Sequence, residues 1–78
     1  MNYKQIYAKH FGMNDWMPCE VCGKKAVDIH HIVYRSQGGK DTIDNLVGLC
    51  RFDHDRAHFK KEPYLHKEEL QEIHNKNL

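Results

Sequence analysis

The stretch Asp28-Ile29-His30-His31-Ile32 decides how this chain folds. Two adjacent histidines lie in an apolar, β-branched segment that reads as a strand over residues 26–33. Side chains alternate across a strand, so Val27, Ile29 and His31 fall on one face and Asp28, His30 and Ile32 on the other. In a regular strand the two imidazoles point apart. One of them can hold a metal while the other addresses what the metal holds only if the chain bends or ends there, and the sequence leaves that geometry open.

Further along, the stretch is answered by Asn45, in the turn Ile43-Asp44-Asn45, and by His54-x-x-x-His58. Leu46-Val47-Gly48-Leu49 reads as a short second strand. Residues 51 to about 60 read as a helix, with Phe52, Ala57 and Phe59 as its apolar stripe. His54 and His58, at i and i+4, share one of its faces. The segment between the strands, residues 34–42, is a polar loop carrying Gly38-Gly39. Upstream, Asn2 is positioned to cap a helix over residues 2–11 that sets Tyr3, Ile6 and Tyr7 on one face. Gly12 and then Asn14-Asp15 end it, and Trp16-Met17 is expected to fold back as core cover. Tyr3, Tyr7 and Trp16 read as packing aromatics rather than as platforms for bases. Downstream, Pro63 interrupts, and residues 65–75 make a last amphipathic helix through Leu65, Leu70 and Ile73.

Seventy-eight residues make one thin domain. A chain this short buries only about 60% of its unfolded surface, so a metal or a disulfide often completes the fold. The 40% hydrophobic and 29% charged fractions are those of an ordinary globular protein. Twelve basic and eleven acidic residues nearly cancel, but four acids against two bases lie in residues 62–78, which leaves +3 on the rest. That bias suits a phosphate-rich partner without establishing one. Three cysteines cannot all pair within one chain. With no secretory-type leader and no apolar run near the roughly twenty residues of a membrane span, the chain reads as cytoplasmic and reduced. In that setting Pro18-Cys19-Glu20-Val21-Cys22-Gly23 reads as a metal-binding knuckle, two thiols three apart with a glycine for the turn. His10, His66 and His74 lie in or beside helices outside the pattern and read as solvated.

The order Asp28-Ile29-His30-His31-Ile32, Arg35-Ser36-Gln37-Gly38-Gly39, Asp44-Asn45-Leu46 and His54-x-x-x-His58 resembles the HNH, or ββα-metal, nucleases over about residues 19–58. The resemblance implies a small α+β domain, residues 1–78, with a ββα-metal core, flanking helices and the option of a zinc staple. It implies a metal-dependent DNA endonuclease that leaves 5′-phosphate and 3′-hydroxyl ends. His30, His54 and His58 resemble the metal ligands of the family's three-histidine branch, His31 its general base, and Asn45 the asparagine that holds the loop between the strands. The cofactor so implied is one divalent ion, magnesium or manganese. Imidazole ligands suit nickel, manganese and zinc better than magnesium, which prefers oxygen. Similar proteins are found in phages and mobile elements, some beside DNA-packaging or restriction machinery.

Many such proteins carry a structural zinc in two Cys-x-x-Cys pairs. Here Cys19 and Cys22 match the first pair and Cys50 opens the second, but Asp53 stands where the fourth cysteine belongs. Three arrangements are open: zinc on Cys19, Cys22, Cys50 and Asp53; zinc on the three thiols and His54; or no metal and three packed thiols. Arg35 is the first candidate for a phosphate contact, because its fork matches phosphate oxygens, followed by Lys40, Arg51 and Arg56. A non-catalytic zinc-stabilised module that binds nucleic acid or protein is the alternative function. The oligomeric state is not legible.

Overall fold

A computed structural model describes residues 2–12 and 16–78. Asn14-Asp15, expected to help end the first helix, lie outside the described residues. Helix α1 runs Tyr3–Phe11 behind a capping box, in which the Asn2 side chain accepts from the Gln5 amide and the Gln5 side chain accepts from the Asn2 amide. Gly12, left-handed at φ 66°, closes it. Strands β1 (Asp28–His31) and β2 (Leu46–Leu49) pair antiparallel, with His30 opposite Val47 and His31 opposite Leu46. Helix α2 spans Arg51–His58 and α3 spans Lys67–Asn77. Single 3₁₀ turns at Arg35–Gln37 and Ile43–Asn45 interrupt the long connection between the strands. The result is a small α+β fold with the expected ββα core.

Apolar residues of the strand pair pack to both sides, because helices cover both faces. One cluster joins Ile32, Val47 and Leu49 to Cys19, Cys50, Ala57, Leu65 and Leu70, beneath α2 and α3. The other joins Ile29 and Leu46 to Tyr7 of α1, with Tyr3, Ile6, Phe11, Met17 and Ile43 around them. Every residue of β2 is buried. Gly48 in its middle has a plain reason: a Cβ there would lie 2.9 Å from the Tyr7 hydroxyl.

Several expectations need correction. Strand β1 is shorter than residues 26–33 because the amide and carbonyl of Val33 are taken by the Asn45 side chain instead of a ladder. Trp16 is exposed rather than covering the core. Helix α2 stops at His58, and of its expected apolar stripe only Ala57 is buried: Phe52 and Phe59 are 56% and 66% exposed, while Asp53 joins Ala57 on the inward face. Helix α3 begins two residues later than expected, with Leu65 buried in the segment ahead of it. His10 and His66 are exposed as read, but His74 is completely buried.

Candidate active site and metal centres

Alternation along β1 does what the sequence leaves open. His30 is buried on the side facing α2, and His31, half-buried, turns to the other side. The paired strand ends at His31, with one further backbone bond from the Ile32 amide to the Asn45 carbonyl, and both rings line one open cleft of about 320 Å³ with Tyr34, His54 and His58. Helix geometry stacks the His54 and His58 rings 5.3 Å apart and nearly parallel, and the His30 ring stands 5.5 Å from His54 and edge-on to it. The three imidazoles offer ligand nitrogens that all lie within 4.8 Å of one another.

Two observations test whether these rings suit a cation. His54 Nδ1 is buried with no hydrogen-bond partner, and a buried polar atom left in that state costs about 1–3 kcal/mol. Burial first, and then the neighbouring imidazoles of His54, His58 and His31, push the His30 pKa down to about 4. A ring held neutral at pH 7 keeps a lone pair for a metal. The donor set fits a divalent ion. Around it, the Tyr34 hydroxyl lies 3.4 Å from His58 Nδ1, and an Asp28 carboxylate oxygen lies 3.9 Å from His54 Nδ1. Asp28 shares the His30 face by the same alternation, so its place was open to sequence reasoning.

Asn45 is buried and uses its whole amide. Its carbonyl oxygen accepts from the Val33 amide at 2.8 Å, and its nitrogen donates to the carbonyls of Val33 and Lys40, both at 3.0 Å. It thereby ties the strand end just past His31 to the far end of the loop. Gly39 belongs to the same construction, since a Cβ at that position would overlap the Val33 carbonyl. His31 Nε2 meets Asp41 Oδ1 at 2.7 Å. Asp41 escapes a motif-based reading; the only signal for it is an acid closing a glycine-bearing loop.

The knuckle brings Cys19, Cys22, Cys50 and Asp53 together, with ligand atoms again within 4.8 Å of one another. Asp53 Oδ2 sits 3.2 Å from Cys19 Sγ and 3.3 Å from Cys50 Sγ, and Cys22 Sγ lies 3.6 Å from Cys50 Sγ. A tetrahedron with zinc–sulfur bonds of about 2.3 Å has sulfur–sulfur edges of roughly 3.8 Å, so the spacing fits zinc. His54 stands with the other histidines and not here. Arg56, expected among phosphate contacts, is turned inward instead: Nη1 donates to Asp53 Oδ1 at 2.8 Å and Nε to the Pro63 carbonyl at 2.6 Å. This leaves Asp53 Oδ2 to the thiols. Burial would raise the Asp53 carboxyl, but hydrogen bonds from the three thiols and Arg56 outweigh it and hold the pKa below the usual carboxylate range. Arg35 gives Nε and Nη2 to Asp41 at 3.0 and 2.7 Å. Lys40 and Arg51 are exposed.

The ββα core thus carries two adjoining clusters that could each hold a metal ion, one of imidazoles and one of thiols with a carboxylate. The profile of the HNH endonuclease family matches residues 19–60, and the chain belongs to that family of phosphodiester hydrolases. The type IV methyl-directed restriction enzyme EcoKMcrA of Escherichia coli (strain K12) is 40% identical over 53 residues, covering 55% of this chain and 19% of that protein. "Probable mobile endonuclease C" of Enterobacteria phage T4 is 38% identical over 58 residues, covering 74% of this chain and 28% of that protein. The chain thus spans only a fifth to a little over a quarter of these relatives. No helix among the described residues is long and apolar enough to cross a membrane.

Proposed function

We propose that the domain is a metal-dependent DNA endonuclease that uses His31 as general base and His30, His54 and His58 as ligands of one divalent ion. The observation that carries this is the three-imidazole cluster beside a fourth imidazole that stands outside it on the same strand. Bound there, the ion would neutralise the scissile phosphate and stabilise the departing 3′ oxygen. Three imidazoles favour nickel, manganese or zinc over magnesium.

His31 takes the proton from the attacking water as the water oxygen bonds to phosphorus and the P–O3′ bond breaks. The products are a 5′-phosphate and a 3′-alkoxide, which solvent protonates to the hydroxyl. Asn45 holds the loop that keeps His31 in place. Arg35, Lys40 and Arg51 are the side chains offered to the flanking phosphates. Cys19, Cys22, Cys50 and Asp53 hold a structural zinc, with Arg56 orienting Asp53. The relatives' names point to restriction or mobile-element settings, and a recruiting partner of that kind would supply the choice of cleavage site.

Supercoiled-plasmid cleavage, with metal stripped and then restored as magnesium, manganese, nickel or zinc, tests the reading. The wild type is expected to nick or linearise the plasmid. His31→Ala is expected to lose about 10²–10⁴-fold in rate, the usual contribution of a general base, while keeping its fold and its metal affinity. Equal cleavage by both proteins would exclude His31 as the base. A folded, metal-loaded wild type that binds DNA without cutting it would favour a binding module.

A further inference from the structure

We propose that Asp41 is a positioning residue for His31: it fixes the imidazole tautomer that leaves Nδ1 as the proton-accepting atom, and Asn45 acts on the base through it. The inference rests on His31 being the base and adds to it the identity of the accepting nitrogen. An ionised carboxylate offers only lone pairs, so the 2.7 Å contact between His31 Nε2 and Asp41 Oδ1 requires the proton on Nε2. In the neutral ring Nδ1 then carries the free pair. Asp41 is ionised: the hydrogen bonds from Arg35 first, and then from His31, hold its carboxyl below the usual range.

The carboxylate is itself held in orientation. Arg35 grips it side-on through Nε and Nη2, and the guanidinium lies 5.2 Å from the centre of the Tyr3 ring. Tyr3 in turn meets the His31 ring edge-on at 4.9 Å. Arg35 also offsets a negative charge that would otherwise face a polyanionic substrate. The backbone completes the link. The Lys40 carbonyl that accepts from Asn45 belongs to the peptide unit whose nitrogen is Asp41's own, and the other Asn45 contacts hold Val33, two residues past His31. One amide therefore sets the distance between the base and its carboxylate.

The test uses the intact chain with Asp41→Asn and Asp41→Glu, and His31→Ala as control. The first readout needs neither metal nor substrate: ¹⁵N chemical shifts of the His31 ring at about pH 9, where an ordinary imidazole is neutral. The wild type is expected as the Nε2–H tautomer and Asp41→Asn as a mixture. In cleavage assays Asp41→Asn is expected to lower kcat about 10–100-fold with KM within about twofold, a typical cost of losing a carboxylate behind a functional histidine. Asp41→Glu is expected to restore part of the loss. An Nδ1–H tautomer in the wild type would overturn the proposal, as would an Asp41→Asn kcat within about twofold of wild type or a change confined to KM. If His31→Ala cleaves normally, the general-base reading itself has failed. If His31→Ala is inactive and Asp41→Asn is not, only the role of Asp41 has.

Discussion

Single residues in this fold are chosen by what lies opposite them. Gly48 is required because the Tyr7 hydroxyl occupies the space of a side chain and reaches on to the Glu20 carboxylate. Gly48→Ala forces that ring aside and is expected to destabilise the protein by about 1–3 kcal/mol, the usual cost of overpacking, measured by urea unfolding. Asp53 is chosen in a comparable way. A fourth thiol would have no use for Arg56, whereas a carboxylate uses one oxygen for the guanidinium and leaves the other to the knuckle. The departure from four cysteines therefore comes with its own partner three residues on, and that partner is unavailable for phosphate.

At the scale of elements, α3 is fastened by a buried pair. Both His74 nitrogens face acceptors, Nδ1 the Glu20 carboxylate at 2.8 Å and Nε2 the Ile43 carbonyl at 2.5 Å, so the ring is an imidazolium. Burial lowers the His74 pKa, but the Glu20 carboxylate and the Ile43 carbonyl outweigh it and hold the pKa above 6.5. A raised folded pKa means that the stabilisation is complete below the unfolded value near 6.5 and is lost as pH rises through the folded value. For Glu20, burial is outweighed by His74, Tyr7 and Asn77, and its folded pKa lies below 4.5. Its share is complete above 4.5 and fails as pH falls through that lowered value. His74→Gln is expected to cost about 3 kcal/mol at pH 6, since it leaves a buried carboxylate without its cation. The gap in melting midpoint from wild type should narrow steadily toward pH 9. A pH-independent gap would mean that packing, not charge, is lost.

The same elements show what the sequence could and could not tell. Local periodicity placed the three helices and two strands of the described residues, because caps, turns and side-chain spacings are short-range. His74 was misread because its partners lie 54 and 31 residues away in the chain. Phe52 and Phe59 were misread for a different reason. In most helices the apolar stripe faces inward, but α2 turns Asp53 and Ala57 inward and gives His54 and His58 to the cleft. The inward face of α2 is set by the thiol-facing Asp53 and by Ala57 rather than by its phenylalanines. The histidine and cysteine sets were visible as spacings, whereas Asp41 became visible only when the loop closed on His31.

At the scale of the whole molecule, the chain packs to a radius of gyration of 11.5 Å, about what a compact chain of its length should reach. Its two apolar clusters are small, and the Cys19, Cys50 and Asp53 side chains sit within or against the larger one. Stripping zinc with a strong chelator is therefore expected to lower the melting midpoint by more than about 10 °C, as a loss of roughly 2 kcal/mol or more would do in a domain this size. Calorimetry of zinc-loaded and chelated protein checks this, and an unchanged transition would show the knuckle to be self-sufficient.

Asp53 and His54 are consecutive residues of α2, yet one belongs to the thiol cluster and the other to the imidazole cluster. A single turn of helix would thus carry a ligand of a zinc ion and a ligand of a divalent ion side by side, so any shift of that turn on filling one site would be felt at the other. By thermodynamic reciprocity, whatever factor zinc contributes to the affinity of the catalytic ion, the catalytic ion returns to zinc. Titrating one metal in the presence and absence of the other would read that coupling as a change in either dissociation constant.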